Sequence, residues 1–324
     1  MTQVWLWVGF SCLIIGMLAV DLGVLNRHSH VVSVKEAARW SAVVVATALA
    51  FNAWIFYARG TQAGLEFSAG YLIELALSVD NIFVFLLIFR FFNVPAAFQH
   101  RVLFLGVFGA LIMRGAMIAA GWLLLERFHW IIYVFGALLI FTGIRMASSD
   151  EVEVHPEHNP VLKLIRRFVP LAPNYDGQRF FTTAFWGTRH RRLATPLFVV
   201  LVMVETTDVV FAIDSIPAIF AVTTDPFLVF TSNVFAILGL RSMYFLLAGV
   251  IEKFHYLKLG LGVVLSFVGV KMLITFFHIE VPIAASLGVI ATVLALSVVA
   301  SLVFPQHKPD DAPAGPPAGP TAGE

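Results

Sequence analysis

The chain has 324 residues, of which 59% are hydrophobic and only 13% are charged, and its formal net charge is +1. A soluble domain is closer to half apolar and a quarter charged, so this composition predicts a polytopic helical membrane protein. The near-neutral charge gives no support for nucleic-acid binding. The single cysteine, Cys12, excludes a disulfide within the chain and a cysteine-rich metal site.

Nine apolar stretches are long enough to cross about 30 Å of hydrocarbon, and each predicts a transmembrane helix. These spans lie near residues 4–25, 36–57, 68–91, 101–124, 130–147, 196–222, 227–250, 257–277 and 282–304. The first follows no basic residue and precedes no small-residue cleavage pattern, so we expect a membrane span rather than a removed signal peptide. The predicted fold class is all-α, with residues 1–304 forming one membrane domain and residues 305–324 a disordered cytoplasmic tail.

The charges of the loops predict the orientation of the chain in the membrane. If the N-terminus is outside, sixteen Lys and Arg residues fall on the cytoplasmic side, and only Arg59 and Arg127 fall outside. Because cytoplasmic loops carry an excess of Lys and Arg, this asymmetry predicts an outside N-terminus and a cytoplasmic C-terminus. The long 148–195 loop is then cytoplasmic.

Two copies of one acidic pattern lie inside predicted spans, about 130 residues apart. Each copy has a carboxylate, five spacer residues, a second carboxylate and then a side-chain oxygen. The first copy consists of Glu74, Asp80 and Asn81, and the second of Asp208, Asp214 and Ser215, with Glu205 three residues upstream. A carboxylate at bilayer depth costs roughly 2.5–3.5 kcal/mol on insertion scales, and its presence there indicates a functional site.

Helix geometry separates the two carboxylates of each copy. Six residues at about 100° each place Glu74 and Asp80 about 120° apart around the helix, and the same holds for Asp208 and Asp214. Either these helices are surrounded by protein, or their backbone is locally unwound. Pro217 favours a kink or break in the sixth span, because proline removes a backbone donor.

The duplication extends beyond the acidic patterns. Arg114 in the fourth span corresponds to Arg241 in the seventh, and residues 136–146 correspond to 262–272. The unit is three helices, and the two copies are repeat A, about residues 68–147, and repeat B, about residues 196–277. Because three is odd, the second copy should have the opposite topology, as in transporters whose site lies between two inverted halves. The alternative is an old duplication retained only for packing.

The candidate ligands in the acidic patterns are all oxygen atoms: carboxylates, the Asn81 amide and the Ser215 hydroxyl. Hard oxygen ligands suit Mg²⁺, Ca²⁺ or Mn²⁺, whereas Zn²⁺ and copper usually recruit nitrogen or sulfur. The alternative is that the acids are protonated, or paired with Arg114 and Arg241, and only hold helices together. Asp21, near the inner end of the first span, either contributes to the ion pathway or lies at the membrane interface.

Six stretches carry a resemblance to a known family, and they are residues 21–24, 70–85, 155–160, 195–197, 205–218 and 231–245. They resemble the TerC family of integral membrane proteins, and within it the Alx-like branch, over a region from about residue 5 to residue 303. The resemblance implies a role in metal-ion homeostasis at the bacterial inner (plasma) membrane. Its main activity would be export of Mn²⁺ from the cytoplasm, with or without exchange for protons. The family takes its name from tellurite resistance.

Two further functions stay open under this resemblance: a membrane-bound redox modulator, and a scaffold that supports the metal loading of exported proteins. The single cysteine and the lack of a cofactor motif give the redox function little support, and no nucleotide-binding motif indicates ATP coupling. We therefore expect a transporter rather than an enzyme, with no tightly bound cofactor. Its expected partners are a divalent cation, protons if transport is coupled, and the lipid bilayer, but no nucleic acid.

Overall fold

The structure is a computed structural model. It describes residues 2–20, 33–148, 162, 165, 167, 169–186, 189–248, 254–277, 279 and 281–304. Asp21, the 305–324 tail and residues 155–160 of the predicted cytoplasmic loop lie outside the described residues.

The described helices follow one another along the chain in the order that the apolar pattern predicts, and two short strands are added between them. The helices are α1 (Thr2–Val20), α2 (Val34–Phe91), α3 (Ala96–Arg127), α4 (Ile131–Ser148), α5 (Pro196–Phe220), α6 (Pro226–Leu247), α7 (His255–Ile274) and α8 (Ile283–Val303). The strands β1 (Phe181–Trp186) and β2 (Arg189–Ala194) lie between α4 and α5, and a 3₁₀ turn (Thr275–Phe277) extends α7.

Seven of the described helices, α2 to α8, are long and apolar enough to cross a membrane, whereas the apolar part of α1, Val4–Val20, is shorter. These helices confirm the predicted class of a helical membrane protein. The count of nine spans and the repeat stay predictions, because length and composition alone assign seven candidates among the described residues.

The 58-residue helix α2 contains two predicted spans, 36–57 and 68–91. Gly60 separates them, since its φ of 89° and ψ of 174° are not helical. The rings of Phe51 and Phe67 lie 5.6 Å apart, although sixteen residues of continuous helix would separate them by about 24 Å. The chain therefore doubles back at Gly60, where only glycine adopts a positive φ without strain.

The β1–β2 hairpin is a departure from the all-α prediction. Its strands are antiparallel, with Phe181 opposite Ala194 and Trp186 opposite Arg189. The hairpin leads into α5 through Thr195, whose hydroxyl donates to the Arg179 carbonyl at 2.7 Å. The long connection between α4 and α5 thus contains ordered structure that fixes the start of α5.

The segment before β1 is tied to the turn between α2 and α3. The Tyr175 hydroxyl donates to the Phe92 carbonyl at 2.7 Å, and the Gln178 amide donates to the Ala97 carbonyl at 3.0 Å. Burial raises the pKa of Tyr175 above its ordinary value, so its hydroxyl remains a donor. These contacts hold the connecting segment against the ends of the membrane helices.

Helix α6 lies at the centre of the fold. Of its 18 most apolar consecutive residues, 89% are buried inside the protein, a larger share than in any other described candidate span. Asp225 caps its N-terminus by accepting from the backbone N–H groups of Phe227 and Leu228, at 2.9 and 3.4 Å. The helix packs along α2 and also against α3, and α2 in turn contacts α5. The third and sixth predicted spans are therefore direct neighbours.

Helices α4 and α7 pack closely through glycines. A Cβ atom at Gly143 would lie 2.6 Å from the Gly262 carbonyl oxygen, and one at Gly269 would lie 2.6 Å from the Gly136 carbonyl oxygen. The backbones approach this closely because no side chain lies between them, which is the usual way in which membrane helices associate tightly.

Candidate functional site

A buried ion-pair cluster joins α2, α3 and α5. Arg114 on α3 donates from Nε and Nη2 to the two carboxylate oxygens of Asp208 on α5, at 3.1 and 2.9 Å. Its Nη1 donates to Glu74 Oε1 on α2 and, at 3.3 Å, to the Ser215 hydroxyl. We refer to Glu74, Arg114, Asp208 and Ser215 as the Arg114 cluster. The first carboxylates of the two acidic patterns thus meet on one guanidinium.

The Arg114 cluster is shielded from the surroundings. Glu74 is 0% exposed, Arg114 2% and Asp208 5%. When both acids are ionised, two carboxylates and one guanidinium leave a net charge of −1 within the protein. In that state Arg114 would leave one buried negative charge without a partner, and such a charge is costly.

The acidic patterns remain helical. Pro217 lies inside α5, yet the helix continues to Phe220, and α2 is helical from the residue after Gly60 to Phe91. Neither helix is unwound at the acids, but α5 is only partly surrounded by protein, since Val210 is 56% and Ile213 is 47% exposed. A break at Pro217 is therefore not observed.

The second carboxylate of each pattern points away from the Arg114 cluster. The half-buried Asp214 accepts a hydrogen bond from the Thr142 hydroxyl of α4 at 3.0 Å, and Arg145 is within electrostatic range of it. Asp80 is also half-buried, and Lys258 on α7 is within electrostatic range. The angular separation of about 120° within each helix accounts for this division.

Glu205 lies one helical turn before Asp208 on α5 and is half-buried. Its carboxylate lies against Gly109 on α3, where a Cβ atom would overlap it. Within the described chain, Glu205 Oε2 is buried without a hydrogen-bond partner, and the same holds for Nδ2 of Asn81, which is 1% exposed. Both predicted ligands are thus inside the protein, but neither contacts the Arg114 cluster through a hydrogen bond that the structure records.

Arg241 occupies a different place from Arg114. It is 6% exposed and lines a small cavity together with residues of α1, α2 and α3, among them Met17, Trp40 and Val107. The cavity beside Arg114 and Asp208 is another one, and Val107 lines both. The expectation that both arginines approach one polar core is met by Arg114, and for Arg241 it stays a prediction.

Three polar residues of this region were not among those predicted from the sequence. Thr142 binds Asp214, and Ser78 and Asn233 are each 0% exposed, with side-chain atoms that have no hydrogen-bond partner in the described part of the chain. Ser78 lies one turn after Glu74, so helical spacing could have indicated it. Asn233 belongs to the 231–245 stretch that carries the family resemblance.

The arrangement does not form a ready metal site. Among the described residues, no group of three or more His, Cys, Asp or Glu side chains is placed to hold a metal ion. The guanidinium of Arg114 lies between Glu74 and Asp208, where a metal ion would have to bind to use both carboxylates. Ion binding by the predicted residues therefore stays a prediction.

Comparisons with known proteins identify the family. The family model described as "Integral membrane protein TerC family" matches residues 59–309. An "Uncharacterized membrane protein STKORF319" of Myxococcus xanthus is 55% identical over 93% of both chains. The "Putative membrane-bound redox modulator Alx" of Escherichia coli (strain K12) is 48% identical over 90% of this chain and 92% of its own. No solved structure gives a significant match. The chain belongs to the TerC family of integral membrane proteins.

Proposed function

We propose that the protein is a secondary transporter that exports divalent metal ions, chiefly Mn²⁺, from the cytoplasm. The observation that carries this proposal is the meeting of Glu74 and Asp208, from two different helices, on Arg114 inside the helical core. Ionisable residues within membrane helices are expensive, and those that face the interior commonly mark ion pathways. Oxygen ligands are those that Mn²⁺ prefers.

The packing of α4 on α7 supports an inverted repeat, the architecture that we propose for this transporter. Gly136 corresponds to Gly262 in the repeat, and Gly143 corresponds to Gly269. Gly143 packs on Gly262, while Gly136 packs on Gly269. A two-fold axis that exchanges the repeats would convert the first contact into the second. Antiparallel packing of α4 on α7 produces both contacts, and an inverted repeat gives corresponding helices this antiparallel orientation.

The same symmetry suggests how the ion would be reached from both sides. The pair α2 and α5, which carries the acidic patterns, would lie at the axis between the two halves, where transporters of this kind hold their substrate. Rocking of one half against the other would expose the acids to the cytoplasm and then to the outside. With the proposed outside N-terminus, export follows when the ion binds from the cytoplasmic side, and protonation of the carboxylates would favour its release.

The name of the Escherichia coli relative suggests redox modulation as a second candidate function. Within this chain, Cys12 is the single cysteine, and its side chain is exposed on α1. Thiol exchange would therefore need a thiol from another molecule. The buried acids would have no part in such chemistry, so we favour transport.

Cellular manganese content distinguishes the two functions. Cells that lack the protein and are grown in added Mn²⁺ should accumulate more manganese than cells complemented with the wild type. Complementation with Asp208→Asn should leave the accumulation high, whereas Cys12→Ser should restore the wild-type content. Restoration by Asp208→Asn together with failure of Cys12→Ser would favour the redox function.

A further inference from the structure

Asn233, near the middle of the central helix α6, has an unusual environment. It is 0% exposed, and neither its amide nitrogen nor its amide oxygen has a hydrogen-bond partner in the described part of the chain. The nearby polar residue Ser232 differs, because its hydroxyl donates to the Leu228 carbonyl at 2.8 Å. Buried side-chain amides usually have partners, so an unpaired one requires an explanation.

The face of α6 that carries Asn233 is directed toward the Arg114 cluster. Residues four and seven positions later, Ile237 and Leu240, share this face and line the cavity beside Arg114 and Asp208. Val229, four positions earlier, shares it as well and packs in one cluster with Ile118 and Ile216.

Along α6, Asn233 lies between Val229 on one side and Ile237 and Leu240 on the other. Ile118 is one turn beyond Arg114 on α3, and Ile216 is next to Ser215 on α5. The amide of Asn233 is therefore at the height of the Arg114 cluster and directed into the space between α3 and α5. On the other side of α6, Ser232 lies against Gly70 of α2, one turn before Glu74.

We propose that Asn233 supplies an amide-oxygen ligand to a hard divalent cation that replaces the Arg114 guanidinium between Glu74 and Asp208. The inference rests on the proposed transport function and names the site at which the ion would bind. Glu74 and Asp208 supply anionic oxygens, and Ser215 and Asn233 supply neutral ones. Such a mixed oxygen set suits Mn²⁺, and water completes the coordination.

Charge explains why an ion can compete with Arg114. One guanidinium leaves the two ionised carboxylates with a net charge of −1, whereas a divalent cation neutralises both. Arg114 then acts as a tethered substitute cation that holds the acids together when no ion is bound. The unpaired oxygens, Glu74 Oε2 and the amide oxygen of Asn233, are those that an arriving ion would use.

Mn²⁺ binding to the purified full-length protein in detergent tests this inference, with free Mn²⁺ followed by electron paramagnetic resonance. Asn233→Leu keeps the approximate volume and removes the oxygen, so its Mn²⁺ affinity should be at least about tenfold weaker than that of the wild type. Asn233→Asp keeps an oxygen at the same place and should bind Mn²⁺ at least as tightly. Ser232→Ala, the matched control on the neighbouring position, should bind like the wild type.

The outcomes separate the inference from the proposed function. If the wild type and Asn233→Leu bind Mn²⁺ equally, Asn233 is not a ligand and the inference is wrong, although transport can stand. If the wild type binds no Mn²⁺, both fail. Should Asn233→Leu not purify as a monodisperse protein, Asn233→Asp decides: binding more than about tenfold weaker than that of the wild type would overturn the inference.

Discussion

Arg114 on α3 binds Asp208 on α5 through two parallel hydrogen bonds of 2.9 and 3.1 Å, and both residues are almost fully buried. The same guanidinium binds Glu74 on α2. One basic side chain thus connects the first acids of both acidic patterns. In the proposed site, Arg114 would be the charge that an arriving ion replaces.

Replacing Arg114 should destabilise the protein. In Arg114→Gln, two buried acids lose their cation, and breaking a buried pair in this way costs about 3–5 kcal/mol. Arg114→Lys keeps the positive charge but not the two parallel bonds to Asp208, so it should recover only part of this loss. Thermal unfolding in detergent measures the effect. The control is Arg59→Gln, which removes a partly exposed pair with Asp225 and should cost no more than about 1 kcal/mol.

Added Mn²⁺ should raise the melting temperature of Arg114→Gln more than that of the wild type. The reason is that the ion and the guanidinium compete for Glu74 and Asp208 in the wild type, whereas the variant has no competitor. Equal stabilisation of both proteins by Mn²⁺ would mean that the ion binds elsewhere.

The close packing of α4 on α7 predicts that Gly143→Ala is destabilising. The added methyl group would approach the Gly262 carbonyl at 2.6 Å, and overpacking of this kind typically costs about 1–3 kcal/mol. Gly262→Ala should have a similar effect, since its methyl group would meet the Gly143 carbonyl at the same distance. Gly288→Ala is the matched control, because nothing lies within 4 Å of that position. Equal melting temperatures for all three variants would contradict the observed packing.

Charge rather than size should matter at the acidic positions. Asp80→Asn, Asp208→Asn and Asp214→Asn should each abolish or strongly impair Mn²⁺ export while the protein still inserts, because a hard dication needs anionic oxygen to offset its lost hydration. Manganese tolerance of cells reports the effect, with membrane abundance measured by immunoblot. Asp176→Asn, in the segment before β1, is the control and should retain wild-type tolerance. Normal tolerance in all three acidic variants would eliminate the ion-site hypothesis.

The single thiol should be dispensable. Cys12→Ser should leave manganese tolerance unchanged, because Cys12 is exposed on α1 and the chain has no second cysteine with which to exchange. A loss of tolerance at normal abundance would revive the redox hypothesis for this chain.

The sequence predicted the helical membrane class, the contact between the third and sixth spans, and the pairing of an acid with Arg114. The length of the apolar stretches and the high cost of charges buried in the membrane are strong local signals, so these features could be predicted from the residues alone. The Thr142 partner of Asp214 and the environment of Asn233 could not. They depend on how α4 and α6 are rotated against α5, and that rotation is set by packing rather than by composition.

The hairpin at β1 and β2 was missed for a related reason. Its strands are short and lie in a long loop, where no repeating apolar pattern distinguishes them from irregular structure. The doubling back of α2 at Gly60 was implied by two separate spans, but nothing in the sequence distinguished Gly60 from the other glycines among the 23 of the chain.

Uptake of Mn²⁺ into reconstituted vesicles, with and without a pH gradient, tests transport most directly. We predict that vesicles containing the wild-type protein take up Mn²⁺ faster than protein-free vesicles. Asp208→Asn vesicles should match the protein-free rate, and a pH gradient should change the wild-type rate if protons are exchanged. Wild-type vesicles that take up Mn²⁺ no faster than protein-free ones, with the protein correctly inserted, would contradict the proposed function.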